Sequence, residues 1–108
     1  MITKFKIFEN LNELPKVGDY VLLNTNKYSA KMWQDFIETH IGEIVKIEKE
    51  HGGTSNIYEI QFENVTREIQ DYFFSRDNTK KLRIEEFKYW SSDKNGLEAI
   101  LNSKKYNL

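Results

Sequence analysis

Cysteine is absent from this 108-residue chain, proline occurs once, and no apolar run is long enough to span a bilayer. Without cysteine the chain has neither disulfide bonds nor thiolate ligands for a metal ion. Small secreted domains often depend on disulfides, so the absence of cysteine indicates a protein of the reducing cytoplasm. A transmembrane helix needs about 20 mostly apolar residues, so the sequence predicts no membrane span.

An excess of charge of one sign is lacking as well. The chain holds 16 Lys and Arg against 17 Asp and Glu, which leaves a net charge of -1. A protein dedicated to nucleic acid usually carries a clustered basic excess. Residues 41–64 hold two basic and five acidic side chains, so this segment is locally acidic. The charge pattern therefore disfavours nucleic-acid binding.

Repeats, low-complexity tracts and linkers are also missing from the sequence. A length of 108 residues is close to the commonest size of one domain. A chain of this size buries roughly two-thirds of its unfolded surface, which is enough for a core without covalent support. We therefore predict a single domain over residues 1–108.

Alternation of apolar and polar residues predicts a mainly β chain. The predicted strands lie at residues 2–8, 17–23, 41–50 and 58–62, near 82–84, and at 88–91. Gly18 and Asp19 supply a sharp turn into the second strand. The paired glycines in residues 51–56 provide the positive φ angles of a hairpin connection between the third and fourth strands.

Two segments have helical spacing instead. Met32, Trp33, Phe36 and Ile37 predict an inserted amphipathic helix over about 29–39. Its predicted N-cap is Ser29, and Gly42 is placed to end it.

The second helix is predicted over about 93–103, after a cap at Ser92 or Asp93. Residues 64–80 are predicted to be irregular, with at most one helical turn. Residues 85–87 predict a tight turn before the last strand.

Three of the strand segments carry a resemblance to a known fold. Residues 17–21 (V-G-D-Y-V), 41–47 (I-G-E-I-V-K-I) and 58–62 (Y-E-I-Q-F) resemble strands of small Src-homology-3-like barrels, including the KOW-type modules of ribosomal and transcription proteins. The resemblance covers about residues 14–90 and implies a small barrel of about five antiparallel strands. The inserted helix is larger than in a plain KOW module, and the basic loops that grip RNA are not evident.

The chain as a whole is similar to small Lys- and Asn-rich proteins encoded by bacteriophages and mobile elements. Residues 86–91 and the closing residues 101–106 contribute to this likeness. The resemblance implies a setting, the cytoplasm of a bacterial host, without implying a mechanism.

The residue types needed for catalysis or metal binding are sparse. His40 and His51 are the two histidines, and neither stands in a metal-binding or nucleophile motif. No P-loop or dinucleotide-binding glycine pattern occurs. The densest charged group, residues 48–51, is typical of a solvated strand end. We therefore predict no catalytic residue, no metal ligand and no cofactor.

The aromatic content is high, with 15 of 108 residues. Phe5, Phe36, Tyr58 and Phe62 are expected in the core, but a small barrel has room for only part of the remainder. Aromatic residues and arginine are the usual anchors of protein interfaces. The predicted partner-binding residues are Tyr72, Phe73, Phe74, Arg67, Arg76, Trp33 and Trp90. The alternative is that these aromatics seal the barrel against the helices.

These observations favour a non-enzymatic protein-binding module, encoded by a phage and acting on a host protein, with inhibition of a host defence as one form of that action. One alternative is a KOW-like nucleic-acid-binding module, in which aromatics stack on single-stranded bases and nearby basic residues supply positive charge, namely Arg67, Arg76, Lys80, Lys81 and Arg83. A second alternative is a small-molecule binder or an enzyme that uses a cleft between barrel and helix.

Overall fold

The computed structural model describes residues 14–53, 55–73 and 77–106. Five β-strands are formed there: β1 (Tyr20–Leu23), β2 (Gly42–Lys49), β3 (Asn56–Gln61), β4 (Thr79–Leu82) and β5 (Phe87–Ser91). They make one antiparallel sheet in the order β4-β3-β2-β1-β5. The prediction of a mainly β domain with five antiparallel strands is confirmed, while the strand predicted at residues 2–8 lies outside the described residues.

Three α-helices accompany the sheet in the described part of the chain: α1 (Lys31–Thr39), α2 (Arg67–Gln70) and α3 (Lys94–Tyr106). Helices α1 and α3 confirm the predicted inserted and C-terminal helices, and α2 is the single helical turn expected within residues 64–80. A 3-10 turn over Ile84–Glu86 immediately precedes β5, as predicted for the tight turn. None of the described helices is long and apolar enough to cross a membrane.

The sheet is open, so the predicted barrel is not closed by strand pairing. Among the described residues, β4 pairs with β3 alone and β5 pairs with β1 alone. The chain passes from β4 to β5 through Ile84–Glu86, which links the two edges covalently. The register shifts between Leu22 and Leu23 and between Ile44 and Lys46. Such irregularities bend and twist a strand, which gives the sheet its curvature.

The main core lies between one face of this sheet and helix α1. Helix α1 contributes Trp33, Phe36 and Ile37, all of which are buried. The sheet contributes alternate residues of its strands, as period-two patterning requires. These are Val21, Leu23, Ile44, Tyr58, Ile60, Leu82 and Phe87.

The other side of the sheet is divided between a covered part and a polar part. Helix α3 packs on β1 and β5, where Leu22 and Leu97 are buried. Beyond α3, Lys46, Glu59 and Lys81 lie side by side on β2, β3 and β4. Opposite charges on neighbouring strands are a favourable pairing, and this row forms the polar face expected for β3.

The turn into β1 is built as the sequence predicts. Gly18 has a φ of +95°, a conformation that favours glycine. The Asp19 carboxylate accepts a hydrogen bond from the Lys16 N–H at 3.0 Å, and the Asp19 C=O accepts one from the Ile44 N–H at 2.8 Å. The buried Asp19 therefore ties the turn to strand β2.

Two details of α1 correct the sequence-based interpretation. Its N-cap is Ala30 rather than Ser29, and no side chain caps the helix there. Gly42 does not end the helix, because α1 stops at Thr39 and Gly42 opens β2. A methyl group on Gly42 would lie 2.4 Å from Ile60 Cγ2. Close packing of β3 against the backbone therefore explains this glycine.

Candidate functional site

Trp33 is the centre of an aromatic cluster that joins α1 to the connection between β3 and β4. Its indole stacks on Phe36 and Tyr72, with ring centroids 5.7 and 5.8 Å apart. Phe62 and Phe73 meet it edge-on, at 6.1 and 5.5 Å. Both geometries are favourable for aromatic pairs. Most of the aromatic side chains in this region therefore pack against one another.

The predicted partner-binding residues are distributed unevenly. Trp33 and Phe73 are in the core, 2% and 9% exposed, so their rings do not form a surface. Tyr72 is half-buried and Arg67 is exposed on α2. Phe74 and Arg76 lie outside the described residues.

Trp90 stands apart from the Trp33 cluster. It lies on β5 and takes part in a second series of ring contacts, with Phe87 at 6.3 Å and, through Phe87, Tyr58 at 5.2 Å. The fold thus brings Trp33, Tyr72 and Phe73 together and leaves Trp90 elsewhere.

A polar group borders the Trp33 cluster on the side of the 3-10 turn. The Tyr28 hydroxyl donates a 2.8 Å hydrogen bond to Glu86 Oε1, and the other carboxylate oxygen accepts from the Arg83 N–H at 2.8 Å. Burial, with the hydrogen bond and negative charge of Glu86, raises the pKa of Tyr28 well above its usual range. Glu86 therefore fastens the segment before α1 to the turn before β5.

Lys80 reaches the same cluster from strand β4. Its Nζ lies 5.4 Å from the centroid of the Trp33 ring and donates a 2.8 Å hydrogen bond to the Tyr72 C=O. Burial lowers the pKa of Lys80, and the negative charge of Glu86 opposes that change. The Lys80 ammonium is thus held by an aromatic face and a carbonyl, near a carboxylate.

The indole nitrogen of Trp33 has no hydrogen-bond partner among the described residues, although it is buried. It lies near enough to the Tyr28 hydroxyl to oppose the rise in the Tyr28 pKa, but the geometry is not that of a hydrogen bond. Buried N–H donors normally have a hydrogen-bond acceptor. The Trp33 N–H is therefore an exception inside an otherwise apolar cluster.

An open groove of about 660 Å³ lies between the β2–β3 hairpin and the end of β4. The half-buried Ile57 provides its apolar lining, and Leu82, which also borders it, is a core residue that is 3% exposed. The walls are formed by charged residues of three segments: 48–51 at the hairpin, 81–83 on and after β4, and Glu86 in the 3-10 turn. The groove therefore combines an apolar strip with a polar rim.

A smaller recess of about 190 Å³ adjoins the groove across Arg83, which lines both. Asn56, Ile84 and Glu85 contribute to it, together with Leu14. Leu14 is 65% exposed. We refer to the groove, the recess and Arg83, which lines both, as the track.

The charges of the groove are paired across its walls. Glu48 receives Lys81 at 3.1 Å and Lys46 at 3.6 Å, and Glu50 receives the Arg83 guanidinium. The hydrogen bond from Lys81, and the positive charges of Lys81 and Lys46, lower the pKa of Glu48. All of these side chains are well exposed. Exposed ion pairs contribute little to stability because water and salt screen them, so a partner can rearrange them at low cost.

The groove residues were not recognised from sequence as a site. Residues 48–51 suggest a solvated strand end, which is correct for their exposure. From sequence, Lys81 and Arg83 are expected only to supply positive charge to a nucleic-acid surface. One signal was present: the alternation that puts Tyr58 in the core also puts Ile57 on the polar face. An isoleucine on an otherwise polar face indicates a small apolar patch on the surface.

The two histidines are placed differently. His40 stacks on Phe36 with centroids 3.9 Å apart, and its Nδ1 is 2.7 Å from the Phe36 C=O. Thr39 Oγ1 lies 3.0 Å from the same nitrogen and 3.3 Å from the Phe36 C=O. These contacts fix the end of α1. His51 lies at the rim of the groove.

Within residues 14–53, 55–73 and 77–106, no three His, Asp or Glu side chains converge as a set that could hold a metal ion. Comparison of the chain with family models, with curated proteins and with solved structures finds no match.

Proposed function

We propose that this protein is a non-enzymatic protein-binding module and that the groove between the β2–β3 hairpin and the end of β4 receives its partner. The observation that supports this proposal is the groove of about 660 Å³ with an apolar strip at Ile57 and a charged rim. Protein interfaces have the same composition, with an apolar centre and a polar, solvent-accessible border.

An extended segment of a partner protein fits this track better than a compact small molecule. The groove and the adjoining recess follow one another across Arg83, so a ligand that uses both must be elongated. Sites for small molecules are usually concave and mostly apolar, whereas charged side chains of both signs border this groove. Charged side chains at the rim of an interface contribute more to the orientation of the partner than to the binding affinity.

We extend the proposal to the class of fold and to the biological setting. The five antiparallel strands, with a 3-10 turn directly before the last, support assignment to the Src-homology-3-like folds that residues 17–21 and 41–47 resemble. The resemblance to small phage proteins supports a host protein as the partner, with a component of a host defence as one such target.

The experiment is affinity capture from a nuclease-treated bacterial lysate, with the immobilised protein and two charge-reversal variants. Arg83→Glu reverses the charge at the centre of the track. Arg67→Glu makes the same change at an exposed arginine of α2, within the predicted aromatic surface. Both side chains are exposed, so neither change is expected to unfold the protein.

We expect a partner that is retained by the unmodified protein and by Arg67→Glu but lost from Arg83→Glu, and mass spectrometry then identifies it. Loss from Arg67→Glu alone would place the binding surface at Arg67 and Tyr72 instead. Retention from an untreated lysate that disappears when the lysate is treated with nuclease would support the nucleic-acid alternative. Capture of nothing by the unmodified protein would contradict a protein-binding function.

A further inference from the structure

Arg83 lines both the groove and the recess, and two contacts fix where it lies. Its backbone N–H donates a 2.8 Å hydrogen bond to Glu86 Oε2 across the 3-10 turn. Its guanidinium forms an ion pair with Glu50 of the hairpin, and the Arg83 side chain remains 52% exposed. The guanidinium is therefore held at the border of the two concavities while much of it is accessible to a ligand.

Most of the hydrogen-bonding capacity of this guanidinium is unused. An arginine carries five N–H donors in a planar fork, and a carboxylate can accept from two of them at once. Among the described residues, Glu50 is the acceptor found for the guanidinium, and it is reached through Nη2. A single contact through Nη2 leaves a second pair of parallel N–H donors for another carboxylate.

Apolar side chains lie next to Arg83 in both concavities. The last β3–β4 pair is Tyr58 with Leu82, so Ile57 and Arg83 are the next two positions of the antiparallel register. Ile57 is half-buried and lines the groove. Ile84, which follows Arg83 in the chain, is half-buried and lines the recess.

We propose that Arg83 binds the carboxylate of an aspartate or glutamate in the partner segment, and that aliphatic residues of this segment contact Ile57 and Ile84. The inference rests on the proposed function, because it names the residue class that the track recognises in a protein partner. In an extended segment every second side chain points to the same side. The recognised pattern is therefore an acidic residue with an aliphatic residue two positions before it and another two positions after it.

An acidic side chain of the partner is favoured over a basic one. Glu48 already receives Lys46 and Lys81. Glu50 already receives Arg83. A lysine or arginine of the partner must displace one of these cations before it can pair with a groove carboxylate. A carboxylate that binds the second donor pair of Arg83 displaces no protein group.

A carboxylate also suits the track better than a phosphate. Glu48, Glu50 and Glu86 all line the groove, so an entering anion meets three negative charges. A phosphate group, with a charge of about −2 near neutral pH, is repelled more strongly than a singly charged carboxylate. The same carboxylates oppose the phosphates of a nucleic acid. The ligand class is therefore the side chain of an acidic residue within a protein segment.

The test uses a pentapeptide with blocked ends, of sequence L-S-D-S-L, titrated into the full chain. Matched peptides carry asparagine, lysine or phosphoserine at the centre and keep both leucines. The readout is the ¹H–¹⁵N spectrum, in which amides of residues 81–86 report on the track and those of residues 67–73 report on α2. Arg83→Gln removes the guanidinium, and Arg67→Gln is the matched change at an exposed arginine of α2.

We expect the aspartate peptide to shift the track amides saturably, and the asparagine peptide to bind about tenfold more weakly. The lysine and phosphoserine peptides also bind more weakly than the aspartate peptide. In Arg83→Gln the preference for aspartate over asparagine disappears, whereas Arg67→Gln retains it. Arg83→Lys recovers part of the preference, because it keeps the positive charge without the planar donor pair.

Equal binding of the aspartate and asparagine peptides, tighter binding of the lysine or phosphoserine peptide, or no saturable shift of the track amides would overturn the proposal. A preference for aspartate that survives in Arg83→Gln would also overturn it. This result is separate from the lysate experiment. Loss of the partner from Arg83→Glu without any preference for the aspartate peptide leaves the groove as a protein-binding site and removes the carboxylate site alone.

Discussion

A methyl group on Gly42 would lie 2.4 Å from Ile60 Cγ2 and 3.0 Å from the edge of the Phe62 ring. Both neighbours belong to the buried core and have little space to move. We therefore predict that Gly42→Ala lowers the free energy of unfolding by about 1–3 kcal/mol, the usual cost of overpacking. Denaturation in urea measures this change.

Gly53→Ala is the matched control, because its nearest neighbour would be 3.8 Å away, an ordinary contact distance. We expect this variant to stay within about 0.5 kcal/mol of the unmodified protein. Equal stability of the two alanine variants would show that the Gly42 backbone is not closely packed against β3.

The hydrogen bond from Tyr28 to Glu86 predicts a dependence of stability on alkaline pH. The folded-state pKa of Tyr28 is raised above the ordinary value of 10.0, so its contribution is complete below pH 10 and is lost as the pH rises further. Tyr28→Phe loses this contribution, about 1 kcal/mol for one hydrogen bond. We therefore expect a stability difference at pH 8 that narrows above pH 10.

Urea denaturation of both proteins at pH 8 and at pH 10.5 measures the difference. All other titratable groups are common to both proteins and cancel in the comparison. A gap between the two proteins that is constant, or that widens with pH, would contradict the role of the Tyr28 hydroxyl.

The sequence does not predict which individual aromatic side chains are exposed. The alternation around Tyr58 and Ile60 correctly indicates which side chains of β3 enter the core. The stacking of Trp33 on Tyr72 joins residues 39 positions apart, and no periodicity signals it. The alternative in which aromatics seal the sheet against a helix therefore applies to Trp33 and Phe73.

Among the elements, helix α1 begins without a side-chain cap, because Ala30 occupies its N-cap position. Serine at an N-cap accepts a hydrogen bond from a free N–H of the first turn. We predict that Ala30→Ser raises the free energy of unfolding by about 0.5–1 kcal/mol, as measured by thermal and urea denaturation.

Ser29→Ala tests the alternative N-cap. We expect no loss of stability from this change, because Ser29 is exposed and precedes the cap. A loss of about 1 kcal/mol would restore Ser29 as the cap and contradict the observed start of the helix.

Most elements were predictable because their signals are local. The glycines of the hairpin, the spacing of Trp33, Phe36 and Ile37, and the cap at Asp93, whose carboxylate accepts the Asn95 N–H at 3.0 Å, are each contained within a few residues. The closed barrel was not realised, because closure depends on pairing between the edge strands β4 and β5. That pairing is a property of the whole sheet.

At the scale of the whole molecule, the groove is formed where three segments meet that are distant in sequence. The hairpin at 48–51, the end of β4 and the turn at Ile84–Glu86 become neighbours because β4 lies beside β3 in the sheet. A single sequence predicts each segment but not their order in the sheet. For the same reason the sequence pointed to the aromatic segment around Tyr72 rather than to Arg83.

The central claim is that the groove is the surface that a protein partner covers. Hydrogen–deuterium exchange, measured on the free protein and on its complex with the partner captured from lysate, tests this claim directly. We predict slower exchange of the amides in residues 48–51 and 81–86 in the complex, with unchanged exchange in residues 67–73. Protection confined to residues 67–73, with the groove amides unchanged, would contradict it.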